Sequence, residues 1–274
     1  VTKFVYSAFL PSIGKNIHIN ELCFKEYKQL VKLLHNDNNQ SINDAFETLT
    51  NSLVIEELPQ FTFLDRLILL LTIRAVCIFP TLELSMLNPS NKQQLNYIFE
   101  ISTIIENISK PELFIKLNSK TVNYGNLEVT YGIPDKVYFN NEEEAVISTI
   151  KSIILKGKDC THQKIAIFSA LPAAVLADAK QHIKTIENEI NKLSLLSIRA
   201  NFTQTELIEF NPSIINDSTL EFLKLLYKKE LTSLYELEYF LTAKLNLPYD
   251  LIANSTFAEL NTYLSFYNEE KKEQ

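Results

Sequence analysis

The sequence holds no tryptophan, four glycines, three cysteines, three arginines and four histidines in 274 residues, and each shortage removes a class of function. With four glycines there are few places for a backbone to approach a nucleotide closely, and neither a GxxxxGKS/T phosphate cradle nor a GxSxG nucleophile turn occurs. Cys23, Cys77 and Cys160 lack CxxC spacing, which argues against a disulfide framework and a thiolate zinc site and fits a reducing cytoplasm. His18, His35, His162 and His182 stand apart, with no HExxH spacing for a metal. Arginine is confined to Arg66, Arg74 and Arg199, and the net charge is −7. Phosphate recognition is built from clustered cations, above all bidentate arginines, so nucleic acid is not an expected partner. No uncharged run approaches the roughly 20 residues that span a bilayer, and no charged segment with a cleavable apolar run opens the sequence. The expectation is a soluble protein with no cofactor, no metal and no membrane contact.

What is present is apolar material: 46% of the residues are hydrophobic, ample for a packed core of one or two domains. The chain is organised around Leu58 to Leu84. From Phe61 to Cys77 this stretch is apolar nearly all round a helix, broken only by Asp65, Arg66, Thr72 and Arg74. A helix apolar on every side is buried. Thr62 with Asp65 three residues on marks its start, Pro80 stops it, and the alternation from Thr81 to Leu84 predicts a short strand. Arg74 lies about two and a half turns beyond Asp65 in apolar surroundings, and a buried guanidinium requires acceptors. It either pairs with a carboxylate or carbonyl inside the fold or faces a partner protein.

Before this helix, Thr2 to Glu21 reads as a hairpin turning through Pro11, Ser12 and Gly14, with Ile17 and Ile19 inward and His18 outward or paired across strands. Helices follow at Glu21–His35, capped by Asn20, and at Ile42–Leu53. After it, Asn88 to Asn96 reads as a loop and Tyr97 to Ile108 as a helix on its three-and-four spacing. Leu113–Leu117 and Leu127–Tyr131 alternate as strands around a polar turn with Gly125. Asn141 and Glu144 open a helix to about Leu155, whose acidic cluster Glu142 to Glu144 suits the positive end of the helix dipole. The polar break Gly157–Cys160 predicts a boundary. Beyond it, Thr161 to Leu193 reads as two helices broken at Leu171 and Pro172, and Leu196 to Glu209 as strands closed by Pro212. From Ser213 the chain is helical, with Asp217 or Ser218, Ser233 with Glu236, and Thr256 with Glu259 as start signals. Phe257, Leu260, Leu264 and Tyr267 form one stripe of the last helix, and the charged tail is expected to fray.

The fold class is therefore α+β: a strand hairpin and helices around a buried central helix, then an all-helical C-terminal part. The divisions are 1–157, a mixed section 158–212 and a helical domain 213–274. Local catalytic signals are poor. Cys160 with His162 is a weak metal pair, and His182 with Asp178 one turn before it reads as a surface pair. An enzyme of unrecognised type assembled from Cys160, His162 and Asp178 is the alternative to a binding protein, and a nucleic-acid accessory with a basic face is a third reading.

Several stretches carry a resemblance: FLPSIGKNIHINELCFKEYKQLV at the start, LPQFTFLDRLILLLTIRAVCIFPTLEL at the centre, then LEVTYGIPD, NEEEAVISTIKSI and the C-terminal ELEYFL. In this order they resemble the baseplate hub subunit or hub-assembly proteins of contractile-tailed bacteriophages. The resemblance implies a component or chaperone of the baseplate hub that works by protein–protein binding, with no catalytic residues. It implies other hub and tail proteins as partners, the tape measure among them, and a place in the host cytoplasm during assembly or in the virion tail. The partner-contacting residues expected on this basis lie by the central helix and on the C-terminal helices: Arg74, Leu237, Phe240, Phe257 and Leu264.

Overall fold

The computed structural model describes residues 4–36, 38–57, 60–87, 94–117, 119–192, 197–200, 206–209 and 213–272. Strands β1 (Val5–Leu10) and β2 (Lys15–Asn20) pair antiparallel, with Ala8 opposite Ile17. Gly14 closes the turn at φ +65°, a conformation that costs other residues a Cβ clash. Ile17 and Ile19 are buried, while His18 points out and contacts Glu56 through Nδ1 at 2.5 Å. Helix α1 (Phe24–Leu34) starts later than the sequence suggested, because Asn20 is held in β2 opposite Val5. Its cap is Cys23, whose N–H donates to Glu26 Oε2 at 3.0 Å. Helix α2 (Asn39–Leu53) begins three residues before Ile42, since Asn38 Oδ1 accepts from Ser41 N.

Helix α3 (Phe63–Cys77) is the centre of the molecule, and every residue from Phe63 to Arg74 is buried. Thr62 and Asp65 form the expected reciprocal cap. Around α3 pack β1, α2 and three elements from later in the chain, so its leucines and isoleucines each contribute about 2 kcal/mol of burial. Burial pushes the Cys77 thiol up to about 12, so it stays protonated and accepts from Leu22 N at 3.2 Å.

Several expectations after α3 are corrected. Strand β3 (Thr81–Leu87) pairs with β4 (Gln94–Glu100), so Asn96 is in a strand rather than a loop, and the helix begins only at Ile101 (α4, Ile101–Ile108). The β-branched content of 97–100 serves this hairpin, and the three-and-four spacing belongs to Ile101, Ile104, Ile105 and Ile108. The predicted loop's residues 88–93 lie outside the described residues. Leu113–Leu117 is not a strand: Pro111 sits at the first helical position of α5 (Pro111–Lys116), where its fixed φ and missing N–H are suited. The polar stretch before Gly125 is instead strand β5 (Lys120–Tyr124), paired with β6 (Leu127–Tyr131). Helix α6 (Glu142–Thr149), capped by Asn141 as expected, stops short of Leu155 because Ile150–Leu155 is strand β7. The break at Gly157 is the turn from β7 to β8 (Lys158–Asp159), which completes a four-stranded antiparallel sheet β5-β6-β7-β8.

Thr161 to Ala170 forms successive short turns, including α7 (Lys164–Ile167), instead of one helix, and Pro172 precedes the long α8 (Ala173–Lys192). Strands β9 (Ser197–Ala200) and β10 (Glu206–Glu209) pair as alternation predicted, while Leu196, Phe202 and Pro212 lie outside the described residues. The helical end consists of α9 (Ser218–Tyr227), α10 (Leu231–Ala243), α11 (Tyr249–Asn254) and α12 (Phe257–Lys272). Asp217 stands at the N-cap of α9 as read, but without a side-chain capping bond; its carboxylate accepts from Asn39 Nδ2 at 2.9 Å. Ser233 is inside α10, which starts two residues earlier, and the charged tail stays helical to Lys272. Thr256 and Glu259 do cap α12 reciprocally, at 2.7 and 3.1 Å. The observed class is α+β, with an N-terminal hairpin, helices, a small antiparallel sheet and a helical C-terminal part.

Candidate functional site

Arg74 lies in the last turn of α3, where a cation complements the partial negative charge of the helix end. Its guanidinium is 7% exposed and is satisfied by backbone carbonyls: Nε donates to Leu226 O at 2.6 Å, Nη1 to Phe79 O, and Nη2 toward Thr81 O at 3.4 Å. The carbonyl alternative read from the sequence is thus realised. Burial lowers the Arg74 pKa from its ordinary value, and the neighbouring Tyr27 and Tyr227 partly offset that. Among the described residues no carboxylate forms an ion pair with Arg74.

Arg74 also forms the floor of a groove of about 430 Å³ between the end of α3, the start of β3 and the end of α9. Leu82 and Leu226 are its apolar base, and Phe79, Leu225, Lys228 and Lys229 reach its rim. Phe79 and Leu225 are 40% and 45% exposed. Phe79 links the groove to Phe257, whose ring it meets edge-on at 5.7 Å. Phe257 is itself buried among Phe24, Tyr27 and Phe79, with Lys229 Nζ 5.5 Å over its face. Tyr27 OH donates to Tyr227 O at 3.2 Å, and burial pushes the Tyr27 phenol up to about 12. The first residues of α12 are thus locked onto α1 and α3.

The structure brings Arg74 and Phe257 to this one place, while the other three expected contact residues lie elsewhere. Leu237 is buried on α10. Phe240 is half-buried, its ring edge-on to Tyr267 at 5.3 Å, and Leu264 is half-buried one turn before Tyr267 on α12. Around them α10 and α12 expose Tyr235, Tyr239, Tyr263 and Phe266. Sequence reading missed Phe79, Leu225, Lys228 and Lys229. The adjacent pair of lysines after the apolar run of α9 was the visible signal, but its partner Arg74 is some 150 positions away.

A second, open groove is lined by Asn36, Asn38, Asn39, Gln40, Tyr138 and Asn140. Its amides are engaged internally: Asn38 caps α2, Asn39 Oδ1 accepts from Lys224 Nζ at 2.7 Å, and Gln40 donates to Asp44 at 2.6 Å. Of the residues of the enzyme alternative, Asp178 is engaged within the fold. Asp178 does not pair with His182 at the surface; it accepts from Tyr124 OH, which lies 2.7 Å from Tyr131 OH. Tyr131 OH reaches Val175 O at 3.1 Å, so this cluster fastens α8 to the sheet. His182 instead lies against Tyr131 with its Nε2 buried and unpartnered, and burial, with Lys120 nearby, holds its pKa below the ordinary value. Among the described residues no three His, Cys, Asp or Glu side chains gather as a metal site, and no helix is long and apolar enough to cross a membrane.

A family model described as T4 bacteriophage base plate protein matches residues 1–195. That segment contains α3 and the four-stranded sheet, whereas the α9 wall of the groove and helices α10 to α12 follow it. No curated protein and no solved structure matches the chain at a significant level.

Proposed function

The chain belongs to the T4 bacteriophage base plate protein family, and from that premise we propose that it serves the central hub of the baseplate, as a hub subunit or a hub-assembly chaperone. It is a phage baseplate protein, and membership over residues 1–195 is the observation that carries the reading. Its work is presentation of surfaces to other hub and tail proteins, the tape measure among them. The exposed aromatics of α10 and α12 support this, since tyrosine and phenylalanine supply large contact area at low entropic cost. In this reading Phe240 and Leu264 lie at the edge of the contact and Leu237 holds it from beneath, while Arg74 and Phe257 lie apart from it at the groove.

The test is affinity purification of tagged protein from infected cells, with mass spectrometry of what copurifies and an assay for the chain in finished virions. Hub and tape-measure proteins in the eluate are expected; their absence overturns the hub reading. Presence in virions identifies a subunit, and capture without presence in virions identifies a departing chaperone. Phe240→Glu is expected to abolish capture with the fold intact. Unfolding of that variant would assign Phe240 to the core alone.

A further inference from the structure

We propose that the groove over Arg74 is a docking site for an extended segment of a partner protein that carries an aspartate or glutamate between apolar side chains. The proposal rests on the baseplate-assembly reading and names the chemistry of one contact within it.

The charge of the groove is of one sign. Arg74 at the floor is more than nine-tenths buried, and its three acceptors are all neutral carbonyls. A guanidinium has five N–H donors, so it retains capacity for an incoming oxygen. At the rim, Lys228 and Lys229 are exposed, and among the described residues neither has an ion-pair partner. Lys224, one turn back on α9, differs: it binds Glu221 at 2.6 Å and Asn39 at 2.7 Å. Glu230, the nearest acid in sequence, starts α10 and makes no ion pair with either rim lysine. A protein of net charge −7 has thus left three cations together with no carboxylate paired to them. Attraction between a carboxylate and a partly desolvated guanidinium is stronger than the same pair in open solvent.

The walls define the rest of the occupant. Leu82 and Leu226 form the base, and Phe79 and Leu225 stand half-exposed on either side. A lone anion would leave these side chains in water. A peptide with apolar residues flanking its carboxylate covers them while its charge meets Arg74, the arrangement of a desolvated centre with a charged rim. Because α9 supplies one wall from beyond residue 195, the site joins the family-matched part of the chain to the part outside it.

The experiment uses the full chain and two fluorescein-labelled eight-residue peptides, one with a single aspartate between leucine and phenylalanine, the other with asparagine in its place. Fluorescence anisotropy is expected to show the aspartate peptide binding at least tenfold more tightly than the asparagine peptide, with affinity falling as salt rises. Lys228→Glu is expected to weaken that preference severalfold while the melting temperature stays near wild type, its side chain being exposed. Equal binding of the two peptides, no binding of either, or an unchanged preference in the charge-reversed variant overturns the groove assignment. Copurification from infected cells with the same variant separates the two claims. If wild type and variant capture hub proteins equally, the groove assignment falls and the hub reading stands. If wild type captures none, the hub reading falls, and the peptides alone decide what the groove binds.

Discussion

The two ends of helix α3 bury charge in opposite ways. At the start, Asp65 is fully buried, and its Oδ2 accepts from Thr62 N at 2.9 Å, Thr62 Oγ1 at 2.6 Å and Ser12 Oγ at 2.6 Å. Arg66 follows it and gives Nε to Asp135 O at 2.7 Å, so charges of both signs are held within one turn. At the other end Arg74 stands with carbonyls only and opens toward two more cations. The first end holds both signs within one turn but leaves Asp65 Oδ1 and Arg66 Nη1 without hydrogen-bond partners; the second groups cations only. A buried charge costs several kcal/mol unless compensated, so a purely structural helix end has reason to resemble the first. The two ends thus differ in what lies beside the buried charge: residues of both signs at one, further cations alone at the other.

Breaking the support of the second end should have the largest effect. Phe257→Ala removes a ring packed on Phe24, Tyr27 and Phe79, and an expected loss of about 4 kcal/mol in denaturant titration follows from large-to-small core substitution. A loss under about 1 kcal/mol would mean that α12 is not anchored there. Arg74→Met should cost about 3 kcal/mol, because three carbonyls lose charged donors, one of them buried and two partly buried. Arg74→Lys keeps the charge but not the fork, and is expected to recover only part of this. At the first end Asp65→Ala should cost about 2 kcal/mol, the upper range for loss of a cap. If Asp65→Ala proved costlier than Arg74→Met, the contrast between the ends would be reversed.

What was legible in the sequence follows the same division. The cap at Thr62 and Asp65, the cap at Asn141 and the box at Thr256 and Glu259 each connect residues three apart, and all form as read. Arg74 could be recognised as a guanidinium needing acceptors, but not which: they lie at Phe79, Thr81 and Leu226. The misread elements share this cause. Tyr97–Glu100 and Ile150–Leu155 are strands because of pairing partners elsewhere, and their isoleucines suit helix burial and strand burial alike. Leu113–Leu117 was decidable locally, since Pro111 at the first helical position was a start signal that the alternation obscured. The groove needed Lys228 and Lys229 to be placed beside α3, and no local pattern places them.

A third way of burying a titratable group is to keep it neutral, and His182 provides the smallest and most specific test. Its Nε2 is buried without a hydrogen-bond partner, and burial depresses its pKa below the ordinary value of about 6.5. With the folded value below the unfolded one, the unfolded chain binds more protons in between, so stability rises with pH across that window. The contribution is complete above about 6.5 and is lost as pH falls through the depressed folded value. Melting temperatures of wild type and His182→Gln from pH 7.5 to 5 should therefore diverge, wild type losing more on acidification. Taking the difference removes contributions common to both proteins. Parallel curves would mean that protonated His182 finds an acceptor in the fold, as Arg74 does in its three carbonyls.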